Sequence, residues 1–188
     1  MNDLRLSSKR LILRLWRDAD REPFTRLSAD RRVMEHLMPL PSREAADAWI
    51  DRQRSHLEEH GFGVWAVELA ETSEFIGAVG LLRVSYKAHF TPAVEVAWRL
   101  SQNHWGRGYA PEAAAVSLQF GFEKLRLPEI VANTVAGNLN SQKVMLKLGM
   151  SRSSMDDFEH PLIPEGHPLR RQVLYRISQK EWRALGVD

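Results

Sequence analysis

The stretch HWGRGYAPEAAAVSLQF, His104 to Phe120, sets Gly106 and Gly108 around Arg107 and opens directly into an alanine-rich run. Each glycine costs conformational entropy, so two of them at the mouth of a helix call for a reason. The pattern predicts a helix from about Gly108 to Lys124, broken by Pro128. Helix N-termini present unpaired N–H groups and a partial positive charge. Residues without side chains there let an anion reach the backbone, and Arg107 adds charge, so a phosphate or pyrophosphate is the expected guest. A tight strand-to-helix turn with no ligand is the other reading of the same residues. Two familiar phosphate loops are excluded. No Gly-Lys-Ser/Thr is present, and Pro111 stands where a dinucleotide fingerprint needs its third glycine.

Working outward, AVEVAWRL (93–100) precedes the glycines as a strand. Two earlier strands, GVWAVELA (63–70) and EFIGAVGLLRV (74–84), form a hairpin about Glu71-Thr72-Ser73, and Gly77 and Gly80 mark a bulge or a close neighbour. About 30 residues after the turn a second strand-to-helix unit follows: EIVANTV (129–135), then LNSQKVMLKL capped by Asn138 and stopped by Gly149. Towards the N-terminus, RLILRLW (10–16) alternates with Leu11, Leu13 and Leu15 on one face. Two short helices follow, the first capped by Asp18 or Asp20. A longer one starts at Ser42, turns Ala46, Trp49, Ile50, Gln53 and Leu57 inward, and ends at Gly61. After a short strand at MSRSSM, a loop over 156–169, a strand at RRQVLYRIS and a final helix at QKEWRAL complete the chain. This order predicts an α+β (mixed α/β) domain, residues 1–188, with one sheet flanked by helices.

Hydrophobic residues make up 44% and charged residues 27% of the 188, which places the chain among globular proteins. A net charge of +2 gives no support to a nucleic-acid partner, and Arg31-Arg32 and Arg170-Arg171 read as solvated or ion-paired surface. Arg5, Lys9, Arg10 and Arg14 interrupt any apolar leader, and no window is long and apolar enough for a membrane span, so the expected location is cytoplasmic. There is no cysteine, hence no thiolate ligand and no thiol nucleophile.

Taken together, WGRGYAPEA, EVAWRL and NLNSQKVMLKLGM resemble the GNAT superfamily of N-acetyltransferases. In that superfamily the acetyl-CoA loop reads Gln/Arg-x-x-Gly-x-Gly/Ala. Gly108 and Ala110 fill its two small positions, while Trp105 replaces Gln or Arg. The Trp-Gly-x-Gly-Tyr-Ala variant, with RLILRLWRDAD, GFGVWAVE, FIGAVGL and LRRQVLYRIS, is similar to the branch containing the ribosomal-protein N-terminal alanine and serine acetyltransferases. The resemblance implies a mostly antiparallel mixed sheet and acetyl-CoA as acetyl donor. It implies that Gly106, Arg107, Gly108, Tyr109 and Ala110 wrap the CoA pyrophosphate. The backbone of Trp98, Arg99 and Leu100 then pairs with pantetheine, one N–H polarising the thioester carbonyl. Asn138 resembles the family asparagine that contacts CoA.

Glu95 is the ionisable residue within the apolar PAVEVAW, on the strand that meets the thioester. Strand alternation sets Glu95, Ala97 and Arg99 opposite Val94, Val96 and Trp98. Glu95 is therefore a candidate base, its pKa raised by burial, or the partner of Arg99 in a salt bridge. Many GNAT enzymes protonate the leaving thiolate with a tyrosine on the helix after the second strand. That helix has none here, and Ser141 is the hydroxyl placed to donate or to bind the cofactor. Without cysteine, direct attack of the amine in a ternary complex is favoured over an acetyl-enzyme.

DFEHPLIPEGHP matches no metal-ligand spacing and reads as a proline-rich loop beside the acceptor cleft, its acidic residues available to a cationic acceptor. The acceptor is an amine, either a protein N-terminus or a small molecule, and a catalytically idle acyl-CoA-binding domain is the competing class. Both monomer and homodimer suit the sequence.

Overall fold

The computed structural model describes residues 4–186. The strand expected over 10–16 is shorter, β2 (Leu11–Arg14), and pairs with an additional edge strand, β1 (Leu6–Ser7). Leu11 and Leu13 are buried as the alternation requires, whereas Leu15 lies beyond the strand and is exposed. Neither Asp18 nor Asp20 caps the first helix, α1 (Arg21–Ala29). Asp20 instead bonds the Arg14 guanidinium and the N–H of Arg17, and Asp18 binds Arg21 and Arg54. Both carboxylates meet charged arginine donors, and Asp20 also closes the 3-10 turn Asp18–Asp20 that runs into α1.

A short helix, α2 (Arg31–Met34), leads to α3 (Arg43–His60). Ser42 caps α3 through the N–H of Ala45, and Gly61 ends it at φ 72°. Ala46, Ile50 and Leu57 are buried and Trp49 is half-buried, so the expected stripe faces the core. Next come β3 (Val64–Leu69), β4 (Phe75–Arg83) and β5 (Val94–Leu100), joined antiparallel. The β3–β4 register shifts between Val67 and Glu68. Both glycines of β4 lie against backbone. A Cβ on Gly77 would strike the Arg99 carbonyl oxygen, and one on Gly80 the Gly63 carbonyl.

The alanine-rich helix is α4 (Tyr109–Glu123). It packs Ala113, Ala114, Leu118, Gly121 and Phe122 onto β4 and β5, the small residues allowing close approach. After it come β6 (Glu129–Val135), α5 (Leu139–Lys147) and β7 (Ser151–Arg152). The expected loop over 156–169 contains a two-residue strand, β8 (Phe158–Glu159), which pairs with β9 (Arg171–Ser178) before α6 (Gln179–Ala184). The strand order is β1-β2-β3-β4-β5-β6-β9-β7, with β8 off that path on β9.

Every pairing is antiparallel except β5–β6, which touches in parallel at Glu95↔Val131 alone. Beyond that bridge the two strands part. The main core gathers Trp16, Trp65 and Trp182. Among the described residues no helix is long and apolar enough to cross a membrane.

Candidate active site

Trp105 and the two glycines shape the turn after β5. The Trp105 indole N–H donates to the Leu100 carbonyl at 2.8 Å, and Gly106 and Gly108 adopt φ 73° and 80°. Left-handed backbone costs a side-chain-bearing residue about 1–2 kcal/mol, so conformation alone asks for glycine at both positions. The space above them is open: a Cβ on Gly106 would meet nothing within 4 Å, and one on Gly108 only the Arg10 Nη2. Among the described residues, the N–H groups of Gly106, Arg107, Gly108, Tyr109 and Ala110 donate to no acceptor. Five unpaired donors in sequence at the start of α4 form a ready anion cradle.

The cradle is braced from behind. Arg10 donates to the Arg107 carbonyl at 3.1 Å and to Glu112 Oε2 at 2.7 Å, and its guanidinium lies 4.6 Å from the centre of the Tyr109 ring. Ser8 Oγ adds a 2.7 Å bond to Glu112 Oε1. Burial pushes the Glu112 carboxyl up, but the donors from Arg10 and Ser8 outweigh it and hold the group below the usual carboxylate range.

A cavity of about 310 Å³ opens beside the turn and runs between β5, α2 and α5. Trp98, Arg99, Leu100, Gly106, Gly108, Tyr109, Ala110, Asn138 and Ser141 all line it, so nine of the expected site residues meet there. Arg107 and Glu95 do not; Arg107 is exposed, its carbonyl held by Arg10. Ser101 N–H donates to Ile76 on β4, so alternation turns the N–H and C=O of Trp98 and Leu100 into the gap beside β6. Arg99 turns its backbone the other way, its carbonyl lying against Gly77. Of the three expected backbone contributors, two therefore face the gap.

Asn138 caps α5 by accepting from Ser141 N–H at 3.2 Å. Its amide also donates to Thr134 Oγ1 at 2.9 Å and to Ser141 Oγ at 3.0 Å. Trp98 Nε1 donates to the same Ser141 Oγ at 3.3 Å. Two donors therefore occupy the hydroxyl oxygen and leave the Ser141 proton free to point elsewhere.

Glu95 forms no salt bridge with Arg99 or any other described residue. Four residues along a strand span about 13 Å, too far for two side chains that stand upright on one face. Burial pushes the Glu95 carboxyl up to about 7, and Asn133 on β6 partly counteracts this. Tyr86 lies beside it with its hydroxyl buried, its pKa raised by burial and then by the Glu95 charge, with Asn133 acting the other way.

A profile described as an acetyltransferase (GNAT) domain matches residues 10–151. The chain belongs to the GNAT acetyltransferases. Among curated relatives, the chain is 28% identical over 180 residues to the uncharacterised N-acetyltransferase YnaD of Bacillus subtilis, covering 95% of this chain and 99% of that one. It is 31% identical over 173 residues to the FsC-acetyl coenzyme A-N(2)-transacetylase of Aspergillus fumigatus, covering 86% and 71%. The crystal structure of an acetyltransferase from Agrobacterium tumefaciens superposes with a TM-score of 0.73 at 27% identity, covering 92% and 93%. The fold is also shared, at 20% and 18% identity, with the ribosomal-protein-S5-alanine acetyltransferase of Vibrio fischeri and the spermidine N-acetyltransferase of Vibrio cholerae bound to CoA and spermine. Both TM-scores are 0.73, with 96% and 94% of this chain covered and 99% of each structure.

In this GNAT enzyme several wall residues lie outside the motif. Arg32, Glu35 and His36 come from α2 and the turn after it, His104 from the turn before the glycines, and Lys143 and Lys147 from one face of α5. Arg32, read from sequence as surface, is a cavity residue with no ion pair among the described residues, as are Lys143 and Lys147. The i, i+4 spacing of Lys143 and Lys147 behind the Asn138 cap was a signal for the latter pair. Nothing local marked Arg32, whose place depends on how α2 packs. Of the acidic residues of 156–169, three are not free for a cationic acceptor, and Glu165 is exposed without an ion pair among the described residues. Asp156 pairs with Arg176 and His89, Asp157 with Arg152, and Glu159 with Arg170 and Arg171.

Proposed function

We propose that the enzyme moves an acetyl group from acetyl-CoA directly to a primary α-amine. The donor diphosphate sits on the unpaired N–H groups of residues 106–110, with Lys143 and Lys147 nearby as counter-charges. Pantetheine pairs with the backbone of Trp98 and Leu100 in the gap between β5 and β6, where an N–H polarises the thioester carbonyl. Asn138 holds Ser141, and the free Ser141 proton meets the departing sulfur. As the amine attacks, the C–N bond forms and the C–S bond breaks; the amine proton passes through water to Glu95, which is not on the cavity wall. Ser141 recovers from solvent the proton it gave to sulfur while Glu95 releases its own.

The observation that carries this reading is the Glu95 carboxyl at about 7. An α-amine of pKa near 8 costs about 1.4 kcal/mol to deprotonate at pH 7, whereas a lysine costs about 4.6 kcal/mol. A base near 7 matches the first task and falls short for the second. A peptide N-terminus presents such a group, whereas the primary alkylamines of a polyamine lie in the lysine range; the fold is shared by acetyltransferases of both kinds of acceptor.

The test is acetyl-CoA-dependent thiol release with α-amines and with Nε-presenting lysine derivatives. Because the chain has no cysteine, the thiol reagent reads only CoA. Release with α-amines that falls at least a hundredfold in Glu95→Gln supports the proposal, and equal rates in the two proteins contradict it.

A further inference from the structure

Arg99 leaves β5 on the face opposite Trp98 and Ser141. Its guanidinium lies 5.6 Å from the ring centre of Phe24 on α1 and 5.3 Å from that of Trp49 on α3. Among the described residues it makes no ion pair and no hydrogen bond, and Nη1 is fully buried without a partner. Arg14 shows what this chain does with another buried arginine: it supplies two carboxylates, Asp20 and Glu68. Arg99 has none, and the one carboxylate on the cavity wall, Glu35, faces His36 at 3.9 Å.

An uncompensated buried cation is costly, and two aromatic faces offset only part of that cost. Burial accordingly lowers the guanidinium to about 10. A charge kept unpaired on a cavity wall is ready for an anion from outside. The donor phosphates already have the cradle at residues 106–110 and the lysines of α5. Arg99 instead faces α1 and α3, across β5 from the Ser141 hydroxyl. The planar fork fits a carboxylate through two parallel hydrogen bonds, and the ring planes hold it in place.

We infer that Arg99 receives a carboxylate borne by the acceptor, so that the acceptor is a small amino acid and not a polyamine. The inference rests on the acetyl-transfer reading and names the acceptor class for that same site. Arg32, on the same cavity and equally unpaired, adds to the positive field that draws such an acceptor in.

The test uses α-amino acids, each as free acid and as methyl ester, with spermidine and a neutral tripeptide amide, at saturating acetyl-CoA. Calorimetric binding of acetyl-CoA is measured beside it. The free acids are expected to turn over, with KM at least tenfold below their esters. Arg99→Gln should raise KM for the acids at least tenfold while leaving KM for esters and for acetyl-CoA within twofold. Arg99→Lys, which keeps the charge and loses the fork, should fall between, and it carries the test if the glutamine variant fails to fold. Esters used as well as acids, or turnover of spermidine or the tripeptide amide alone, would overturn the inference. So would no turnover by a protein that binds acetyl-CoA. A rise in acetyl-CoA KM in Arg99→Gln would assign the guanidinium to the donor phosphates instead. Failure to bind acetyl-CoA would overturn the transfer reading itself.

Discussion

Replacing Glu95 by Gln has two consequences of opposite sign. The carboxyl stands at about 7 against an ordinary 4.5. At about 1.4 kcal/mol per unit, the ionised form is disfavoured in the fold by roughly 2–3 kcal/mol once residual solvent contact is allowed for. A raised acid binds more protons folded than unfolded between about 4.5 and 7, so stability falls as pH rises through that window. Below it both states are protonated and nothing is lost; above it the full penalty is present. Glu95→Gln cannot ionise and escapes the penalty. Urea unfolding at pH 4.5 and pH 8 should show the variant gaining about 2–3 kcal/mol on the wild type between the two. The same variant should lose about 10²–10⁴ in kcat at pH 7, the range for a positioned general base. The wild-type kcat should climb with pH and level off above about 7. A variant that gains nothing at pH 8 and keeps wild-type kcat would refute both the burial and the role of Glu95.

Two further outcomes follow from other contacts. Ser141→Ala removes the hydroxyl that Trp98 and Asn138 hold, and should lower kcat about tenfold while leaving calorimetric acetyl-CoA affinity within threefold. Gly80→Ala drives a Cβ into the Gly63 carbonyl and to 2.7 Å from Val64 Cα, an overpacking that should cost about 1–3 kcal/mol. A thermal melt should show its Tm lowered by roughly 3–10 °C.

The glycine turn announced the site because its requirement is local. Gly106 and Gly108 carry a backbone conformation that only glycine takes cheaply, and that requirement is written in two letters. The Ser42 and Asn138 caps were legible for the same reason, each bonding an N–H three residues on. What depends on packing between distant elements was not legible. The side chain of Arg32 reaches the cavity only because α2 folds over β5. The brace of the cradle joins Ser8 and Arg10 to Glu112, more than 100 residues away. The Glu95–Arg99 pair, the alternative to Glu95 as a base, failed on distance along one strand. Its failure leaves both charges unpaired, and those two groups now carry the proposed chemistry. Asp157 and Asp156 went to arginines on β7 and β9 that the sequence placed in separate elements.

The central claim is that the backbone at residues 106–110 holds the donor's diphosphate. The direct measurement is calorimetric titration of acetyl-CoA into the wild type and into Gly108→Val, with Tm recorded for both. The account predicts micromolar binding in the wild type, weakened at least tenfold in a variant that remains folded. A folded Gly108→Val protein that binds acetyl-CoA as tightly as the wild type would contradict it.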